Sequence, residues 1–200
     1  MSRRPVDLAA ASTAVRDLLR ALGEDPEREG LLDTPMRVAK AWDEILSGRL
    51  LDPAAVLKTS SGADGFDEVG GYDQMIVVSS IPFASVCEHH MLPFIGHADV
   101  GYLPGASGRV VGLSKIPRLV DAFARRLQVQ ERMTQQVADA LLTHLGAQGV
   151  GVRITSEHLC ASCRGVKKQS RMVTEALLGN FREHAVREEF WHLSDRGRTA

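Results

Sequence analysis

Two short windows hold all three cysteines of this chain and three of its seven histidines: Cys87 to His90, four residues, and His158 to Cys163, six. Any fold that lets these windows act together must carry the chain back on itself across the long segment between them. A lone cysteine or histidine is usually an ordinary core side chain. Six such donors in ten residues point instead to a metal, and the thiolate and imidazole chemistry favours zinc.

The chain has room for such a fold. Its 200 residues are 44% hydrophobic and 24% charged, enough for one globular domain with a real core. That composition excludes a disordered, collagen-like or miniature disulfide scaffold. The formal net charge of -1 gives no bulk signal for nucleic acid or an anionic membrane. Apolar runs fall short of the roughly 20 residues needed to span a bilayer. Arg3 and Arg4 precede an apolar stretch, but Arg16, Asp17 and Arg20 interrupt it, so an amphipathic helix is the better reading than an export signal. Three cysteines, few and odd in number, predict a reducing compartment, by default the cytoplasm.

Hydrophobic spacing orders the elements. Leu8, Ala11, Val15, Leu18, Leu19 and Leu22 recur at helical steps with Gly23 as a stop, which predicts a helix whose apolar face is core. Thr34 as N-cap with Pro35 behind it opens a second helix, carrying Val38, Ala39, Trp42, Ile45 and Leu46 up to Gly48. Residues 1–58 therefore form an N-terminal helical segment, 59–71 a Gly- and Ser-rich linker-like loop, and 72–200 the main domain. Within it, strands are expected at Met75 to Ser79 and around Ala98, Val100 and Tyr102. Two helices follow, one capped by Ser114 and carrying Ile116, Leu119, Val120, Phe123 and Leu127, the next carrying Val129, Met133, Val137, Leu141 and Leu145. Strands at Val150 to Ile154 and Met172 to Ala176 and a terminal helix over Phe181 to Leu193 complete an α+β sandwich.

Spacing permits two metal geometries. Cys87, His90, Cys160 and Cys163 could close a structural tetrahedron, or Cys87, His90 and Cys160 could leave a fourth position open for catalysis. The spare histidines favour the open site. In extended chain His158 and Cys160 project to one face, which sets an imidazole able to move protons beside a ligand. Ser114, Lys115 and Arg118 at a helix start make an anion site, or else a solvated basic face, and Arg164 offers a planar fork for phosphate oxygens. Gln130 and Glu131 open the next helix, and a fixed carboxylate there can accept the paired N–H donors of a guanine edge. These residues alone point to zinc-dependent hydrolysis of a phosphorylated substrate, for which a purine fits.

Read as strings, Thr34-Pro-Met-Arg-Val-Ala-Lys40, Cys87-Glu-His-His90, Gly112-Leu-Ser-Lys115, Gln128-Val-Gln-Glu-Arg132, His158-Leu-Cys160 and Arg164-Gly-Val166 closely resemble the motifs of the GTP cyclohydrolase I family, in order, from about residue 15 to the C-terminal helix. The resemblance implies a tunnelling fold, an antiparallel sheet with helices packed on one face, preceded by the helical segment. It implies conversion of GTP and water to 7,8-dihydroneopterin triphosphate and formate, the first step of folate and pterin biosynthesis. One Zn2+ per subunit would be held by Cys87, His90 and Cys160, with His158 as acid/base and His89 at the substrate. Glu131 would anchor guanine with Gln130 beside it, while Ser114, Lys115, Arg118 and Arg164 would hold the triphosphate. The family pattern further implies a cytoplasmic homodecamer of two pentamers, with sites at subunit junctions and Arg37 reaching a neighbouring site. One departure stands out: Cys160-Ala-Ser-Cys163-Arg-Gly165 replaces two methionines common in related sequences. Were Cys163 a ligand, hydrolysis would fail; a structural-zinc assembly protein, or a related enzyme acting on another purine or pterin, are the competing readings.

Overall fold

A computed structural model describes residues 5–58, 66–68, 72–106 and 108–197, the backbone only at 66–68. The N-terminal segment is three helices, α1 (Leu8–Ala21), α2 (Thr34–Ile45) and α3 (Pro53–Leu57). Asp7 caps α1 by accepting from the Ala10 N–H at 2.9 Å. The expectation that the α1 face is core is corrected: no residue of α1 is buried, and Leu18 and Leu22 stay 56% and 71% exposed. Periodicity shows that a helix has an apolar face but not what lies against it, and α1 lies against α2. The α2 start is also shifted by one residue. Asp33 takes the cap position, and its carboxylate bonds Arg37 at 2.9 Å rather than a backbone N–H.

Five strands form the main sheet in the order β5 (Leu127–Gln128), β2 (Ile76–Cys87), β3 (Pro93–Leu103), β6 (Gly149–His158) and β7 (Arg171–Gly179). All neighbours are antiparallel except β5, which adds two residues parallel to the end of β2. β2 runs far beyond the expected Ser79, through a bulge where Ser80 has φ 56° and on past Pro82. Proline is tolerated there because, among the described residues, β5 meets β2 only at Val86 and Cys87, which leaves the outer side of β2 at Pro82 as a sheet edge. A separate two-stranded ribbon pairs β1 (Phe66–Glu68) with β4 (Arg109–Val111). β1 falls inside the expected linker 59–71, and the rest of that loop lies outside the described residues.

Helices α4 (Lys115–Ala124) and α5 (Gln130–Leu145) cover one face of the sheet. Leu119, Phe123, Met133, Val137 and Leu141 pack there with Val100, Tyr102, Val150, Val152 and Ile154 in one core. The next residues along β3 and β6, Gly101 and Gly151, face the other way. A Cβ on Gly151 would run into the Phe181 ring, and this bare patch seats Phe181 and Phe190, edge to face at 5.4 Å. Phe190 belongs to α7 (His184–Arg196), which starts three residues later than expected because a short 3-10 turn takes 180–182. Arg153 ties α7 to the sheet, bonding Asp195 at 2.7 Å and the buried Asp99 at 3.2 Å.

Candidate active site

Both cysteine-bearing windows sit at one rim of the sheet. Cys87 is the last residue of β2, and Glu88 to His90 turn directly into β3. The turn is closed by the Met91 N–H donating to the Cys87 carbonyl at 2.8 Å and the Cys87 N–H to the Leu92 carbonyl at 2.9 Å. Met91 accepts a left-handed φ of 54° to make it. Across the sheet His158 ends β6 opposite Phe94 of β3, and the short helix α6 (Leu159–Ser162) carries Cys160. The topology therefore needs only β3 between the windows.

Cys87 Sγ, a ring nitrogen of His90 and Cys160 Sγ lie within 4.8 Å of one another. Donors this close can converge on one ion with bonds of about 2.0–2.3 Å. Burial, and next the neighbouring Cys87 sulfur, pushes the Cys160 thiol up from its usual pKa. A thiol so placed gives up its proton when a cation compensates the charge, so a set of two sulfurs and one imidazole nitrogen fits a thiophilic metal. Cys163 is exposed at the end of α6 and stands outside the cluster. Of the two geometries open in the sequence, the three-donor one is what the fold assembles.

Around the cluster, His89 leans on Cys87, Nδ1 3.8 Å from Sγ. The Arg164 guanidinium approaches His90 Nε2 at 3.4 Å. His158 stacks flat on Phe94, ring centroids 4.7 Å apart with a 2° interplanar angle, and its Nε2 is 2.9 Å from Gln130 Oε1. Burial pushes the His158 pKa down, against a weaker upward pull from the Glu131 carboxylate. Glu131 itself is exposed at the first turn of α5.

Gln130, expected beside the substrate, has a fully buried side chain at the start of α5, against β6 and β7: its amide N–H groups face the Ile154 and Met172 carbonyls and Thr174 Oγ1, each at 3.1 Å.

Ser114 takes the cap position of α4 without a side-chain capping bond, and the Lys115 amine donates to the Lys58 carbonyl at 2.8 Å. Lys115 and Arg118 line a cavity of about 380 Å³ with Ser47, Leu51, Asp121 and Arg125. Arg37 is held on its own helix by Asp33. Sequence reasoning missed Glu88 and Arg132 altogether, which join the turn to α5 in two bonds of 2.6 and 2.8 Å.

A sheet with helices packed on one face, carrying a Cys-His-Cys cluster able to hold a metal ion with a histidine anchored beside it, defines an enzyme of the tunnelling-fold class. Residues 11–195 match the family described as GTP cyclohydrolase I. The chain belongs to that family. It is 49% identical over 184 residues to GTP cyclohydrolase 1 of Corynebacterium glutamicum, covering 92% of this chain and 90% of the relative. It is 51% identical over 184 residues to the protein of that name from Mycobacterium marinum, with 92% and 88% covered. With that of Mycolicibacterium vanbaalenii it shares 52% over 177 residues, with 88% and 84% covered.

Proposed function

We propose that this chain opens the imidazole ring of GTP hydrolytically, releases formate and rearranges the remainder to 7,8-dihydroneopterin triphosphate. The observation that carries the reading is the convergence of Cys87, His90 and Cys160 beside an anchored His158. Those three residues would hold one zinc ion, which when bound supplies the Lewis acidity that makes water a nucleophile near neutral pH.

The chain's own residues do the rest. His158, whose neutral form is favoured by burial, takes and returns protons during ring opening and ring closure, and the exposed His89 reaches the same space from the facing turn. The Glu131 carboxylate accepts the N1–H and 2-amino hydrogens of guanine, a pairing that other nucleobases do not offer. Arg164 binds triphosphate oxygens at the cluster, while Ser114, Lys115 and Arg118 supply the remaining cationic contacts. The separation of Lys115 and Arg118 from the cluster supports a site completed by a second copy of the chain, in a homodecamer of two stacked pentamers. Light scattering giving a mass ten times 21.8 kDa would agree with this, and a monomer would exclude it. In this reading residues 1–58 are an assembly segment and 72–200 the catalytic domain, working in the cytoplasm, where thiol ligands stay reduced.

The test is to incubate zinc-loaded protein with GTP, with and without chelator, and quantify formate and pterin together. Equimolar products that disappear with the metal support the reading. Neither product from an intact, metal-loaded assembly would overturn it.

A further inference from the structure

We infer that Gln130 fixes the tautomer of His158, placing the hydrogen on Nε2 and leaving Nδ1 as the ring nitrogen that exchanges protons with the substrate. The inference rests on His158 being the acid/base of the reaction proposed above and names which of its atoms works.

The hydrogen bonds around the buried Gln130 amide fix its orientation. Ile154 and Met172 present backbone carbonyl oxygens to one end of the Gln130 side chain, both at 3.1 Å. A carbonyl only accepts, so that end is the NH2 group, and both its hydrogens are used. Thr174 does not disturb this. The Thr134 hydroxyl donates to the backbone carbonyl of Gln130 at 2.8 Å, so the 2.7 Å contact between Thr174 and Thr134 has Thr174 as donor, and Thr174 Oγ1 turns a lone pair towards the side-chain amide. Every oxygen at that end is accounted for, and the amide cannot be reversed without setting Oε1 against two carbonyls.

With the amide so oriented, Oε1 faces His158 Nε2 at 2.9 Å and accepts from Ser156 Oγ at 2.6 Å. An amide oxygen donates nothing, so the hydrogen between it and the imidazole belongs to the ring. A neutral His158 protonated on Nδ1 would instead oppose two lone pairs inside a side-chain pocket where Gln130 is fully buried. The flat stack on Phe94 holds the ring plane while the hydrogen bond selects the edge. Gln130 is thus a positioning residue, acting through His158 and not on the substrate.

Neutron crystallography of the deuterated, zinc-loaded enzyme, at a pD above the ordinary titration range of histidine, reads the tautomer directly. A deuteron on His158 Nε2 with none on Nδ1, and both amide deuterons of Gln130 directed at Ile154 and Met172, is the expected result. A deuteron on Nδ1 alone, or a reversed amide, would overturn the inference. In solution, Gln130→Met keeps the side-chain length and removes the acceptor. It is expected to lower kcat at least about tenfold while zinc content and KM for GTP hold. A folded Q130M enzyme with undiminished kcat would count against the inference. Should Q130M not fold, the neutron map of the wild-type protein decides. The two readings fail separately: full turnover by His158→Ala would remove the catalytic role from His158, whereas a deuteron on Nδ1 in an active enzyme would overturn only the part assigned to Gln130.

Discussion

Glu88 and Arg132 meet through two charge-assisted hydrogen bonds, Nη2 to Oε1 at 2.6 Å and Nη1 to Oε2 at 2.8 Å, and so lock the turn between Cys87 and His90 onto the first turn of α5. Glu88 sits between the two outermost donors of that turn, and Arg132 follows Gln130 and Glu131. One fork therefore sets the spacing between the metal cluster and the residues assigned to guanine and His158.

Glu88→Gln leaves the shape and removes the charge. The pair is exposed, so its effect on unfolding is small, but metal affinity should fall about tenfold because the turn no longer holds its donors in place. Competition with a chromophoric chelator measures it. The hydrogen bonds of Arg132 hold the Glu88 carboxyl below its usual range. The clamp is accordingly complete above the ordinary glutamate pKa and is lost only as the pH falls through the lowered value. The affinity difference between wild type and E88Q should vanish over that acid interval; a constant difference throughout would be contrary evidence.

Cys163 and Cys160 are three residues apart and differ entirely in surroundings, one exposed and one in the cluster. Cys163→Ser should retain one zinc per chain and GTP turnover. Cys160→Ser should lose both, read by elemental analysis and formate release. Equal losses would return Cys163 to the donor set.

Lys115→Ala and Arg118→Ala address the triphosphate assignment. Each charge-assisted contact is worth about 1.5–3 kcal/mol, so each change should raise KM for GTP about tenfold or more. Zinc content should not change. A KM indistinguishable from wild type in both variants would move the triphosphate elsewhere.

Gly151→Ala tests the fold away from the metal. Its new methyl collides with the buried Phe181 ring, with Phe190 directly behind, so neither ring can yield cheaply. An unfolding cost of about 1–3 kcal/mol is expected from overpacking. Chemical denaturation of the metal-loaded protein checks it, and an unchanged midpoint would contradict the packing described.

The two central helices and β6 were legible because Leu119, Val137 and Leu141, and then Val150, Val152 and Ile154, repeat with helical and strand periods and are all buried against one another, although α4 ends at Ala124 and Leu127, expected on it, belongs to β5. β2 runs on past the expected Ser79 through Ser80 and Pro82, residues of weak strand preference whose tolerance there depends on the bulge and on the β5 register rather than on any local pattern. β1 was hidden among glycines, with a partner more than forty residues away in β4. In the site, the cluster followed from donor type and spacing alone. The burial of Gln130 was not legible, because a polar residue in a helix's first turn ordinarily faces water, and nothing local in the sequence tells that β6 and β7 close over it. Glu88 and Arg132 each stood inside a recognised string, yet their pairing depends on β5 lying beside β2, a tertiary fact with no local signature.

The strand order also makes the donor cluster a property of the whole domain. Cys87 belongs to the β2–β3 hairpin, a pairing close in sequence, whereas Cys160 lies beyond α4 and α5 and is brought to it only by the pairing of β6 with β3. Without that long-range pairing nothing holds the three donors within reach of one ion. Metal affinity therefore reports on the integrity of the entire sheet and not on either window alone.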